Sequence, residues 1–331
     1  MKPLGFSITL SLILFTTGCA ADAPASTPTP EPPPTSTPFP TPTPQPQGQI
    51  VPEILLKFDN EPDPLKDPYG IALDSSGDLY INDAGNSRVL VFDKNGKLLS
   101  KWDKQGSGKG EFKSLGFGGI AIDAQDNVFV VDNGNHRIQK FDHDGNFLLQ
   151  WGGEGRGDGQ FSRAIGIATD GDGNVYVTDD DNPYVQKFDN DGKFLMKWGG
   201  AGKGDGEFSH ATGIAVDAQG NIFVADYENK RVQKFNGAGE FIVQWRMGSD
   251  LKVTGTPEAI LVDEKGQVYV TDYQFGRVEV FTNDGEFIQA WGGKSLADSL
   301  FKRPTGIALD GNGHVYVVSQ SGNNVQVFNL P

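Results

Sequence analysis

Residues 166–198, GIATDGDGNVYVTDDDNPYVQKFDNDGKFLMKW, contain the pattern that decides the fold of this chain. The stretch divides into four short segments rich in β-branched and aromatic residues, beginning at Gly166, Val175, Tyr184 and Phe194. Gly-Asp-Gly-Asn separates the first two segments and Asp-Asn-Asp-Gly separates the last two. Turns of this composition join antiparallel strands. The stretch therefore predicts a small sheet of four antiparallel strands.

The same pattern recurs along the chain. The five tryptophans mark its period, with spacings of 49, 47, 47 and 46 residues: Trp102, Trp151, Trp198, Trp245 and Trp291. The first segment occurs six times, beginning at Gly70, Gly119, Gly166, Gly213, Ala259 and Gly306. A period near 47 residues indicates units that must stack to bury their apolar faces. Four strands in each of six units predict an all-β fold, a six-bladed β-propeller. The small residues of the first segment suit the strands around a central channel, and the tryptophans suit the outermost strands.

The sixth unit ends after three segments, at Phe328, and lacks a tryptophan strand. Upstream of the first unit, Ile54-Leu-Leu-Lys-Phe58 matches Phe147-Leu-Leu-Gln-Trp151, with Phe58 in the place of the tryptophan. We therefore expect the N-terminal strand to complete the last blade and close the ring. Closure of this kind protects the sheet edge.

These units resemble the NHL repeat. The resemblance rests on Gly-Ile-Ala-x-Asp, then Val-Tyr-Val-x-Asp, then 135–141 (NHRIQKF), then Trp151-Gly-Gly and a glycine-rich loop ending at Phe161, and it covers residues 54–328. It implies a six-bladed propeller of NHL type. Its members include a peptide-amidating lyase, RNA- and protein-binding domains and extracytoplasmic sensor domains, so the resemblance leaves the activity open.

The first 50 residues have a different character. Lys2 precedes an apolar and hydroxylic run from Leu4 to Thr17, which predicts a secretory signal over residues 1–19. Cys19 is the single cysteine, and its place after Gly18 resembles the lipobox of bacterial lipoproteins, although Thr16 stands where leucine is usual. We expect an extracytoplasmic protein anchored by lipid at Cys19. Plain secretion and a retained signal anchor are the alternatives.

Residues 20–50 are rich in proline and threonine and predict an extended, disordered linker before a propeller domain at 51–331. From residue 51 onward, 27 basic side chains stand against 41 acidic ones. Nucleic-acid binding requires a basic footprint, so this class of partner is excluded. We expect a monomer that contacts the membrane only through its anchor.

An aspartate ends the second segment of five units, and in four of these an arginine follows five residues later. The aspartates are Asp83, Asp132, Asp179, Asp226 and Asp272, and the arginines are Arg88, Arg137, Arg231 and Arg277. A pair repeated in this way predicts structural ion pairs, because a catalytic set would have to break the symmetry of the repeat.

A catalytic zinc ion needs three ligands that converge on one point. The four histidines occupy different positions of the repeat, which does not favour such a site. The fifth unit departs from the others by placing Glu258 at the channel mouth, alongside Tyr69, Thr212 and Thr305. Six-bladed propellers of the lactonase type hold a divalent cation in this channel with a Glu, Asn and Asp set, but the inner strands of this sequence lack the matching asparagines. We expect no cofactor and a solvated Glu258, with a divalent metal at the mouth as the alternative.

A second departure from the repeat concerns aromatic residues in units four and five. Tyr227 and Tyr273 follow the aspartates of units four and five, with Tyr184 and Phe275 nearby in the sequence. Exposed aromatic residues on neighbouring loops are typical of binding hot spots, although tyrosines also cover blade interfaces. We expect these residues and Glu258 to form one patch for a neutral or basic partner.

We therefore expect an extracytoplasmic binding or scaffold propeller that recognises a protein, peptide or glycan through its loop face. The alternative is a metal-dependent lyase or lactone hydrolase with its site at the channel mouth.

Overall fold

The computed structural model describes residues 64–248, 254–292 and 301–329, together with the backbone of a strand over residues 53–58. The predicted signal, Cys19 and the predicted linker lie outside the described residues. Those residues contain no helix with the length and apolar character needed to cross a membrane.

The described chain forms six four-stranded antiparallel sheets, which are the predicted blades. The first three blades comprise β2 (Ile71–Leu73), β3 (Leu79–Asp83), β4 (Arg88–Phe92) and β5 (Leu98–Trp102); β6 (Ile120–Ile122), β7 (Val128–Asp132), β8 (Arg137–Phe141) and β9 (Phe147–Gly152); β10 (Ala164–Thr169), β11 (Val175–Asp179), β12 (Tyr184–Phe188) and β13 (Phe194–Gly199). The fourth and fifth comprise β14 (Ala211–Val216), β15 (Ile222–Asp226), β16 (Arg231–Phe235) and β17 (Phe241–Arg246); β18 (Pro257–Val262), β19 (Val268–Asp272), β20 (Arg277–Phe281) and β21 (Phe287–Gly292).

The sixth blade comprises β22 (Pro304–Leu309), β23 (His314–Ser319), β24 (Asn324–Asn329) and β1 (Glu53–Phe58). Strand β1 pairs antiparallel with β24, from Glu53 opposite Asn329 to Phe58 opposite Val325. Helical structure within the described ranges consists of three 3-10 turns, at Ala84–Asn86, Asn133–Asn135 and Gln320–Gly322.

The core consists of six apolar layers, each lying between two consecutive blades. A tryptophan from the outermost strand of one blade packs on a third-strand phenylalanine of the next. Trp151 and Phe188 are typical, with ring centroids 5.7 Å apart. The prediction that the tryptophans lie between blades is therefore confirmed.

The inner strands surround the central channel and approach one another closely. A Cβ atom added to Gly213 would lie 2.3 Å from the backbone oxygen of Glu258 on the neighbouring inner strand. This spacing explains why a glycine is needed at Gly213, because a side chain there would press against the neighbouring inner strand.

The repeated aspartates and arginines form the predicted ion pairs. Arg231 Nε lies 2.8 Å from Asp226 Oδ2, and Arg137 makes the same contact with Asp132. Arg231 also donates to the backbone oxygens of Lys203, Gly204 and Glu207, in the loop that enters its blade. The pair therefore braces a loop, as expected of a structural element of the repeat.

Candidate binding site at the channel mouth

The floor of the site is the channel mouth, where the inner strands begin. The cavity in the channel has a volume of ≈ 80 Å³ and is lined in part by Tyr69, Ile165, Glu258 and Thr305. Thr305 Oγ1 donates to the backbone oxygen of Tyr69 at 3.3 Å, and Thr212 Oγ1 donates to that of Glu258 at 3.1 Å. The two threonines therefore hold neighbouring inner strands in register.

Tyr69 and Glu258 form a buried pair across this mouth. The Tyr69 hydroxyl donates to Glu258 Oε1, and each residue is 6% exposed. Burial raises the pKa of Glu258 to about 7, although the hydrogen bond from Tyr69 opposes the shift. Burial also raises the pKa of Tyr69 well above its usual range, and the nearby Glu258 carboxyl adds to this effect. Glu258 is thus not solvated, contrary to the expectation from sequence.

Above the pair, two tyrosines and an arginine contact one another across three blades. The rings of Tyr227 and Tyr273 have centroids 6.0 Å apart at an interplanar angle of 65°. Arg303 Cζ lies 5.6 Å from the centroid of the Tyr273 ring, a cation–π distance. Burial, with a smaller contribution from Glu258, raises the pKa of Tyr227 to about 12. The pKa of Tyr273 is also raised by burial, which Arg303 opposes.

On blades three and four, a buried aspartate joins two basic side chains. Arg163 forms an ion pair with Asp180, and His210 Nδ1 lies 2.7 Å from Asp180 Oδ1. The Asp180 side chain is 4% exposed, whereas those of Arg163 and His210 are 39% and 48% exposed. We name the whole set the mouth arc: Arg163, Asp180, His210, Tyr227, Tyr273 and Arg303.

The repeat itself positions the mouth arc. Three of its residues directly precede an inner strand, three positions before the glycine of the first segment. The other three directly follow the aspartate that ends a second strand. A backbone hydrogen bond ties these two positions within a blade, as from Tyr227 N to His210 O at 3.0 Å and from Asp180 N to Arg163 O at 3.0 Å. Two variable positions in each of blades three to six are thereby brought to the channel mouth.

A groove opens beside the arc between blades five and six. We name it the mouth groove; its volume is ≈ 680 Å³. Its lining combines aromatic, neutral polar and basic side chains: Tyr227, Thr256, Tyr273, Gln274, Phe275, Phe301, Lys302, Arg303 and Ser321. Concave sites with several apolar faces and a few polar groups are the usual form of ligand sites.

The structure brings together most of the residues that the sequence selected. Tyr227, Tyr273 and Phe275 line the mouth groove, and Glu258 lies in the channel beneath. Tyr184 lies apart, at the start of the third strand of blade three, with Lys197 Nζ 5.2 Å from its ring centroid. Of the five residues expected to form one patch, three therefore share the groove, whereas Glu258 lies in the channel and Tyr184 lies on β12. Their role in binding stays a prediction.

Sequence reasoning missed Arg163, Asp180, His210 and Arg303. The available signal was their position, because these residues differ from unit to unit at the two places of the repeat that face the mouth. In residues 64–248, 254–292 and 301–329, no group of three or more His, Cys, Asp and Glu is arranged to hold a metal ion. A divalent metal at the mouth stays a prediction.

Sheet order, repeat and channel define the class of protein as a six-bladed β-propeller. Residues 64–151 match a family model described as a 6-bladed beta-propeller, and residues 208–235 match the model of the NHL repeat. The chain is therefore an NHL-type six-bladed β-propeller. A search of curated proteins gave no match.

Several solved structures share the fold. A virginiamycin B lyase from Staphylococcus aureus aligns with a TM-score of 0.60 at 13% identity, covering 83% of this chain and 99% of the lyase. A gluconolactonase from Xanthomonas campestris gives 0.57 at 19% identity, with 81% and 88% covered. A nidogen–laminin complex gives 0.56 at 21% identity, with 74% and 85% covered. At these identities the likeness concerns the fold alone, and the neighbours include both enzymes and a binding complex.

Proposed function

We propose that this propeller is an extracytoplasmic binding protein that recognises a protein, peptide or glycan through the mouth arc and the mouth groove. The observation that carries the proposal is the contact of Tyr227, Tyr273 and Arg303 at the edge of a cavity of ≈ 680 Å³. Aromatic and arginine side chains that meet in a pocket are the residues most enriched in binding hot spots.

The test is the double variant Tyr227→Ala with Tyr273→Ala, immobilised and challenged with solubilised cell-envelope material. Truncation of a hot-spot anchor typically costs about 2 kcal/mol or more, so we expect capture to fall by roughly thirtyfold or more. The retained material is quantified by mass spectrometry and carbohydrate analysis. Melting followed by circular dichroism verifies that the variant is folded.

Tyr184→Ala is the matched control, because Tyr184 is also a partly exposed tyrosine beside a cation but lies outside the arc. We expect this variant to capture as much material as the parent. Equal capture by the double variant and the parent would contradict the proposal.

The alternative function is a metal-dependent lyase or lactone hydrolase. It is favoured by Glu258, a buried carboxyl group at the channel mouth with a pKa of about 7. A carboxyl group with a pKa near the operating pH suits general acid–base catalysis. This alternative predicts stoichiometric divalent metal in the purified protein, lost in Glu258→Gln and retained in the Tyr227→Ala, Tyr273→Ala variant.

A further inference from the structure

The local charge of the mouth groove differs from that of the whole molecule. The chain has a formal net charge of −15, whereas the groove lining contains Lys302 and Arg303 and no Asp or Glu among its described residues. Both basic side chains are exposed. Ligand preference depends on the charges at the site rather than on the total charge. The groove lining itself contributes two positive charges, and the carboxyl groups of Glu228 and Glu258 lie near Tyr227.

Comparison of two blades shows why the charge of Arg303 stays available. Arg163 and Arg303 occupy the same repeat position, three residues before an inner-strand glycine. In blade three the residue hydrogen-bonded to the Arg163 backbone is Asp180, which also neutralises the guanidinium. In blade six the corresponding residue is Gln320, whose backbone N–H donates to Arg303 O at 3.1 Å. Within the described part of the chain, Arg303 forms no ion pair with a carboxylate, and its ring contact is with Tyr273.

The rest of the lining fits a sugar. Tyr227 and Tyr273 offer half-buried aromatic rings, and the negative face of such a ring attracts the C–H face of a pyranose. Gln274 and Ser321 are exposed on the groove wall, where an amide and a hydroxyl group can bond to sugar hydroxyls. One common mode of peptide binding adds a strand to a sheet edge through main-chain hydrogen bonds, whereas this groove presents side chains.

We infer that the mouth groove binds an acidic oligosaccharide, with the carboxylate of a uronate residue on Arg303 and Lys302 and the sugar ring on Tyr273 and Tyr227. This inference rests on the proposed function and specifies its ligand class. It departs from the neutral or basic partner expected from sequence, because that expectation used the charge of the whole domain.

The test uses two probes with the same sugar backbone, tetragalacturonate and its fully methyl-esterified, uncharged form. Calorimetric titration of the parent should show that the ester binds about tenfold more weakly than the acid, because a charge-assisted hydrogen bond is lost. Arg303→Gln should reduce the affinity for the acid by about the same factor and leave the affinity for the ester unchanged. Arg303→Lys should retain most of the affinity for the acid.

Lys197→Gln is the matched control, because Lys197 also lies over a tyrosine ring, that of Tyr184, but outside the groove. This variant should bind both probes as the parent does. Equal affinity for the acid and the ester, or no binding of either by the parent, would overturn the inference. A tetraglutamate peptide that binds as tightly as the uronate would overturn the sugar class. These results leave the proposed function standing, which fails only if the double tyrosine variant captures as much material as the parent.

Discussion

At the scale of residues, two buried glutamates of blade five stand out. Glu258 accepts a hydrogen bond from the Tyr69 hydroxyl in the channel, and Glu279 on β20 accepts one from Gly248 N at 2.9 Å. Burial raises the pKa of each to about 7 from an ordinary value of 4.5, and Arg277 opposes the shift at Glu279. The equivalent positions of Glu279 in blades two, three and four are Gln139, Gln186 and Gln233. Blade five thus has a titratable acid where these blades have a neutral amide.

We expect the stability of the protein to fall as the pH rises. Because the folded-state pKa of each glutamate is raised, the folded protein binds more protons than the unfolded chain between about pH 4.5 and pH 7. The free energy of unfolding should therefore decrease across this window, by up to roughly 3 kcal/mol per carboxyl group. Urea denaturation at the two ends of the window measures the change.

The double variant Glu258→Gln with Glu279→Gln should show a much flatter pH profile than the parent. Glu264→Gln, at an exposed glutamate of the same blade, is the control and should keep the parent's profile. A parent whose stability is constant or rises from the lower to the upper pH would contradict the assignment.

At the scale of elements, the contact between a hairpin turn and a tryptophan joins neighbouring blades. Gly192, in the turn between β12 and β13, has φ of +77°, and an added Cβ atom would lie 2.7 Å from the Trp151 ring of the preceding blade. Gly239 and Gly285 stand in the same relation to Trp198 and Trp245. The glycines of these turns therefore allow both the positive φ of the turn and the close approach of the preceding blade's tryptophan ring to the turn, at the interface between the two blades.

Gly192→Ala should destabilise the protein by about 2 kcal/mol, because it combines a strained backbone with overpacking against an indole ring. Gly171→Ala is the control in another turn of the same blade, where an added Cβ atom has nothing within 4 Å and φ is not positive. Urea midpoints of the two variants provide the comparison. Equal midpoints would show that the turn relaxes away from Trp151 at little cost.

The sequence predicted the elements well and the site only partly. The repeat predicts the strand order, the ion pairs and the place of the tryptophans. Each position in the repeat corresponds to one strand of a blade and to one place along that strand. The repeat does not predict which side chains of different blades contact one another. Asp180 and His210 are 30 residues apart and occupy different repeat positions, so no periodic signal links them. Tyr184 follows the loop of unit three that corresponds to the loops holding the other aromatic residues, but it lies on a third strand, which is farther from the channel than the first.

At the scale of the whole molecule, the sixth blade combines strands from both ends of the described chain. We expect deletion of residues 51–58 to lower the melting temperature markedly, because it removes the partner of β24 and exposes a sheet edge. Deletion of residues 22–46 should leave the melting temperature nearly unchanged. Equal melting temperatures for the two deletions would refute the closure scheme.

The anchoring of the molecule is a separate prediction. If Cys19 is the lipidated N-terminus, Cys19→Ala should move the protein from the membrane fraction to the soluble extracytoplasmic fraction. Membrane fractionation followed by immunoblotting measures the distribution. A variant that stays as membrane-bound as the parent would eliminate lipid at Cys19 as the anchor.

The placement of the tryptophans has a spectroscopic consequence. Each of the five lies at a different interface between consecutive blades, from Trp102 between blades one and two to Trp291 between blades five and six. The apolar layer between blades six and one contains no tryptophan. Indole emission therefore reports on five interfaces and is blind to the one between blades six and one. Unfolding that begins at this interface should therefore reduce the β-strand signal in circular dichroism before the indole emission changes.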